Sequence, residues 1–150
     1  MGDEVVAKPL SAAISELLDK DRYLLQHNLN ERTISHRLAS YMQSYFKGWD
    51  VDCEYNRDHD DPKKIPLPRT KVNSDDVDAK IVFPDIIVHH RGRDNNLLVI
   101  ELKKSTNRES TDSDLEKLRL IKKTLKYKHA LSIRLQVGES EVGIKDIRTA

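Results

Sequence analysis

Apolar residues recur along this chain with two different periods. Ile14, Leu17 and Leu18 share one face at helical spacing, continuing toward Leu24 and Leu25, and Ser11 stands where a helix cap belongs. Ahead of that cap, residues 1–8 read as a loose terminus. Ile34, Leu38, Tyr41, Met42 and Tyr45 repeat the helical spacing and predict a second helix from about Leu29 to Lys47, with Gly48 as its stop. The period then falls to two. Val51, Cys53 and Tyr55 alternate with Asp52, Glu54 and Asn56, the pattern of a half-exposed strand. Residues 58–79 are polar, with three prolines, and predict a long loop. Two apolar runs follow, 80–90 and 97–104, separated by Arg91-Gly92-Arg93-Asp94-Asn95-Asn96, which predicts a hairpin. Thr111 or Asp112 can cap a third helix with Leu115, Leu118, Ile121 and Leu125 as its buried stripe. Leu131, Ile133, Leu135 and Val137 mark one face of a last strand, His129–Val137, and the tail Val142–Ala150 has no clear period.

The order α-α-β-β-β-α-β predicts an α/β (α+β) domain: a mixed central sheet flanked by helices, because a hairpin followed by a helical crossover leaves antiparallel and parallel pairs in one sheet. At 150 residues one domain is expected. Apolar residues make up 37% and charged residues 34%, which is lean in core but too apolar for disorder. A core this lean makes a homodimer one of the expectations.

Charge narrows the picture less than its placement does. A net charge of +1 creates no global field for a polyanion. Lys63, Lys64, Arg69 and Lys71 cluster in one segment, and Lys117, Arg119, Lys122, Lys123, Lys126 and Lys128 in another. Such clusters suit a nucleic-acid backbone, or simply a solvated helix face. A single cysteine, Cys53, excludes an intramolecular disulfide and a cysteine-rich zinc site. No long apolar run or leader is visible, so the expectation is a cytoplasmic protein without a membrane partner.

The candidate chemistry lies in the two apolar runs. Asp85 follows Pro84 in the first, and Glu101 and Lys103 close the second. A charged pair at the end of an apolar strand is costly unless it has partners. Side chains alternate along a strand, so Glu101 and Lys103 share a face, and Asp85 joins them if the runs pair. Two carboxylates and an ammonium on one sheet face suit a hard cation and metal-assisted phosphodiester hydrolysis; a structural ion pair between Asp85 and Lys103 is the plainer alternative. Glu31 also falls on the apolar stripe of its helix, where it serves either the site or a capping box with Asn28.

Pro84-Asp85, Glu101-Leu102-Lys103 and Glu31 on a preceding helix, together with the element order from about residue 28 to 137, resemble the PD-(D/E)xK nuclease superfamily. The resemblance implies a restriction-endonuclease-like αβββαβ core with an extra N-terminal helix. It implies magnesium, with manganese as substitute, held by Asp85, Glu101 and the Leu102 carbonyl, with Glu31 as a further acid. It implies Lys103 beside the attacked phosphate, and a DNA endonuclease of restriction, repair or phage-defence type, RNA remaining open. Arg37, Lys104, Lys122 and Lys123 are candidate contacts for the nucleic-acid backbone. His36, His89 and His90 read as structural or surface groups, with a histidine facing the site able to assist. The alternative is a non-cutting nucleic-acid- or protein-binding domain that keeps this fold.

Overall fold

A computed structural model describes residues 4–53, 65–66, 81–82 and 84–150. Helix α1 spans Glu4–Lys20 and buries Val6, Leu10, Ala13, Ile14 and Leu17. It therefore begins a full two turns before Ser11, and residues 4–8 are not a loose terminus. Val6 and Leu10 extend the stripe of Ile14 and Leu17 backwards, and their burial outweighs the backbone bond that Pro9 cannot make inside the helix. A short helix α2, Arg22–Gln26, follows as a separate piece.

Helix α3, Glu31–Tyr45, buries Ile34, Ser35, Leu38, Ala39 and Met42 and packs on α1. Its cap is Asn30, whose side chain accepts from the Thr33 N–H at 2.8 Å. The capping box expected from Asn28 is thus replaced by a cap two residues later. Asn28 instead takes φ of +53°, a left-handed conformation that asparagine tolerates. Gly48 follows the helix end with φ of +84° and turns the chain into the sheet.

Five strands form the main sheet in the order β1-β4-β5-β6-β7. They are β1 (Asp50–Cys53), β4 (Ile86–His89), β5 (Asn96–Lys104), β6 (His129–Gln136) and β7 (Gly143–Thr149). The β4–β5 hairpin is antiparallel as expected, β5 and β6 are parallel across helix α4 (Thr111–Leu125), and β6 and β7 are antiparallel. The protein is therefore α+β, with a mixed sheet between helices.

Three boundaries differ from the sequence expectation. The run 80–90 is not one strand. Ile81–Val82 forms β3, which pairs with β2 (Ile65–Pro66) in a separate two-stranded sheet, and β4 starts only at Ile86. Pro84 has no N–H to give a ladder, so the strand is interrupted there and Asp85 falls in the bend before β4. Most of the predicted 58–79 loop, with Lys63, Lys64, Arg69 and Lys71, lies outside the described residues. The cap of α4 is Ser110, which accepts from the Ser113 N–H at 3.2 Å, rather than Thr111 or Asp112. The tail forms β7, whose register on β6 leaves Lys145 without an opposite residue: Arg134 faces Asp146 while Leu135 faces Ile144. That bulge hides the period of two.

Strand β5 separates two cores. Leu98, Ile100 and Leu102 pack with α1 and α3 in the large apolar cluster, which β6 joins through Leu131, Ile133 and Leu135. Val99 faces the other way, with Ile87, Ala130, and Leu118 and Ile121 of α4. Glu101 and Lys103 continue the Val99 face, so α4 covers both.

Candidate functional site

Asp85 and Glu101 meet because of the hairpin register. Ile86 lies opposite Ile100, which puts the residues just beyond, Asp85 and Glu101, side by side at the open end of the ladder. One oxygen of Asp85 (Oδ2) accepts from the Leu102 N–H at 2.8 Å and ties the bend to the strand. Glu101 is buried, with 1% of its surface exposed, and shares a side-chain hydrogen bond with Asp85. Burial first, and then the neighbouring Asp85 charge, push its pKa up to about 8, with Lys117 pulling the other way.

Lys103 stands on the same face with 12% of its side chain exposed. Its Nζ lies 3.5 Å from Asp114 Oδ1 and 3.4 Å from Glu109 Oε2. Burial works against its charge, but Asp114, Glu101, Asp85 and Glu109 outweigh it and raise the pKa above the ordinary value. The lysine is thus a fixed cation. Its close ion pairs run to Asp114 and Glu109 rather than to Asp85, so the simple Asp85–Lys103 pair is not the arrangement adopted.

Two residues of α4 complete the cluster, and the sequence reading missed their role. Lys117 Nζ lies 2.6 Å from Glu101 Oε1, and Asp114, itself 3% exposed, holds Lys103. Burial, opposed by Lys103, raises the Asp114 pKa. Their signal was available. Asp114 and Lys117 precede Leu118 and Ile121 at helical spacing, so the buried stripe of α4 carries charges toward its N-terminal end.

The other candidates lie apart. Glu31 Oε2 accepts from the Lys104 N–H at 3.0 Å and from Asn107 Nδ2 at 2.8 Å. It caps the end of β5, whose last N–H needs an acceptor, and with Asn30, Lys104, Thr106 and Asn107 lines a surface hollow. Among the described residues no group of three or more His, Cys, Asp or Glu side chains converges as a metal cage, so Glu31 does not join Asp85 and Glu101 as a third acid. Arg37 gives Nε to Asp21 at 3.0 Å and Nη2 to Tyr41 at 2.9 Å, so its fork serves the α2–α3 junction rather than a phosphate. Lys122 donates to the Ala150 carbonyl at 3.2 Å, while Lys123 is exposed. His36 lies 3.6 Å from Cys53 Sγ, and His90 stacks on Trp49 at 4.1 Å between ring centroids. His89 is fully buried and pairs with Asp52 at 2.7 Å.

The donor set suits a small hard cation. Magnesium takes oxygen ligands and needs only one or two carboxylates, because it keeps several waters. Asp85 and Glu101 supply two converging carboxylates, and among the described residues the buried Oε1 of Glu101 makes no well-directed hydrogen bond beside its ion pair to Lys117. No protein-family model, curated protein or solved structure matches this chain. Among the described residues, no helix is long and apolar enough to cross a membrane.

Proposed function

We propose that this chain is a nuclease of the PD-(D/E)xK type that hydrolyses phosphodiester bonds in DNA with magnesium, manganese being an effective substitute. One observation carries the reading: two carboxylates from adjacent strands, Asp85 and Glu101, lie side by side with the Lys103 ammonium on the same sheet face. Asp85, Glu101 and the Leu102 carbonyl would hold the ion. When bound, it would supply Lewis acidity and a nucleophile at neutral pH. Lys103, kept charged by its acidic surroundings, stabilises negative charge developing on the attacked phosphate. Asp114 and Glu109 position that ammonium. Lys104, half-buried on the opposite face of β5 beside Glu31, would meet only a more distant stretch of nucleic-acid backbone. One such centre cuts one strand, so cleavage of a duplex calls for a homodimer or two successive nicks.

A second reading has its own support. Lys117 pairs with Glu101, and Asp114 and Glu109 pair with Lys103, which is how a catalytically silent binding domain of the same fold would hold a retained charge cluster. The deciding experiment incubates purified protein with single-stranded, duplex, nicked and branched DNA, with and without magnesium or manganese. The nuclease reading expects cleavage that chelator abolishes. It further expects Lys103→Ala to bind manganese like the wild type and to lose activity by about 100-fold, the usual scale for one electrostatic group. Salt-dependent DNA binding without turnover would select the silent domain.

A further inference from the structure

Lys117 occupies an unusual position for a helix-surface lysine. Its stem crosses from α4 to the sheet, and its ammonium stands 2.6 Å from a carboxylate oxygen that is otherwise without a hydrogen bond. That carboxylate adjoins Asp85, so the ammonium lies where a divalent ion would approach the pair. Magnesium bound to Glu101 would sit about 2.0–2.1 Å from the oxygen. An ammonium this close to the oxygen crowds and repels a divalent ion on the same approach.

The two lysines of the cluster are not equivalent. Lys103 has two acidic partners and is 12% exposed, so it is anchored. Among the described residues Lys117 makes one ion pair, to Glu101, and is 26% exposed, on a flexible four-carbon stem that reaches solvent by rotation. Resting on the metal-dependent reading above, we infer that Lys117 is a tethered cation that closes the carboxylate pair, and that divalent metal binds by displacing it. The helix thereby carries a built-in competitor for the ion, and Lys117 is a positioning residue rather than one that touches substrate. Metal entry releases an ammonium toward the surface.

The test compares manganese and magnesium affinity of the wild type and Lys117→Met by calorimetry, at one pH and ionic strength. Methionine keeps most of the stem and removes the charge. Competition expects the variant to bind about tenfold more tightly, or better, equivalent to about 1.4 kcal/mol. Equal affinity, or weaker binding by the variant, overturns the inference while the metal reading stands. Absence of binding in both overturns the metal reading and the inference with it. Should Lys117→Met fail to fold, the wild type gives the answer alone. Reductive methylation of Lys117, followed by peptide mass spectrometry, should quicken about tenfold at saturating manganese, with Lys123 as the unchanged reference. An unaltered Lys117 rate at saturation overturns the competition.

Discussion

Two acids on one sheet face, one buried and one half-buried, behave in opposite ways. Asp52 lies opposite Ile87 on β1, and Ile87 lies opposite Val99, so Asp52 and Glu101 point to the same side of the sheet with β4 between them. Asp52 has partners for both oxygens: His89 at 2.7 Å and a forked contact from Arg91 at 2.6 and 3.0 Å. Burial pushes its pKa up, but His89 and Arg91 outweigh burial and hold the carboxyl well below the usual range. Glu101 is more deeply buried and faces a second acid, and Lys117 does not offset both, so it rises to about 8. Asp52 therefore reads as a lock that fastens the edge strand β1 to the hairpin. Glu101 is a carboxylate kept under-satisfied, a condition that a stable fold tolerates where a ligand relieves it.

The largest effect should come from exchanging each acid for its amide. On the proposed nuclease reading, Glu101→Gln removes one of the two carboxylate donors and should lower metal-dependent cleavage by about 1,000-fold, roughly 4 kcal/mol of transition-state stabilisation. Asp52→Asn should leave any cleavage by the folded protein within about threefold, since Asp52 lies outside the proposed site. Steady-state assays on the best DNA substrate would measure both. Equal losses in the two variants would erase the distinction between lock and site.

How far the sequence disclosed this arrangement depended on how local each signal was. The alternation in Leu98, Ile100 and Leu102 against Val99, Glu101 and Lys103 is local, and it predicted the two faces of β5 directly. The hairpin was equally legible, because Gly92 at φ of +73° makes a turn that its own neighbourhood announces. Asp114 and Lys117 were harder. Their charges carry no meaning until the crossover fixes which turn of α4 lies over the end of β5, and that is a tertiary fact. Glu31 was misread for a related reason. Its place on the apolar stripe was seen, but its donors, Lys104 N–H and the Asn107 amide, are more than 70 residues away in the chain. The bulge at Lys145 erased the period of β7 altogether.

Stability should reverse the ranking of the two acids. Asp52→Ala removes one partner of a fully buried histidine and the carboxylate that Arg91 forks onto. Breaking buried, charge-assisted contacts costs several kcal/mol, but Asp52 and Arg91 are partly open to solvent, so about 1–3 kcal/mol is expected in urea unfolding at neutral pH. Glu101→Gln should cost less than about 1 kcal/mol, because burial already favours the uncharged form there. A larger penalty for Glu101→Gln than for Asp52→Ala would mean that the Glu101–Lys117 pair is a structural tie like that of Asp52.

The smallest effect is in the pH dependence, and its sign separates the two carboxylates. An unfolded chain releases the Glu101 proton near the ordinary value of 4.5, whereas the folded chain keeps it to about 8. Between those limits the native state binds the extra proton, so the Glu101 contribution to stability falls as pH rises, by at most about 1.4 kcal/mol per unit, and levels off above 8. Asp52 has the opposite slope: its folded pKa is depressed, so its contribution is complete above its ordinary value of 3.8 and disappears as acid protonates it below that. Unfolding free energies at pH 6, 7, 8 and 9, taken as wild type minus Glu101→Gln, isolate the first slope from all other groups. The difference should decline by about 1 kcal/mol from pH 7 to 8 and flatten by pH 9. A flat difference across the range would mean that Lys117 holds Glu101 ionised in the folded protein, and the contrast with Asp52 would then vanish.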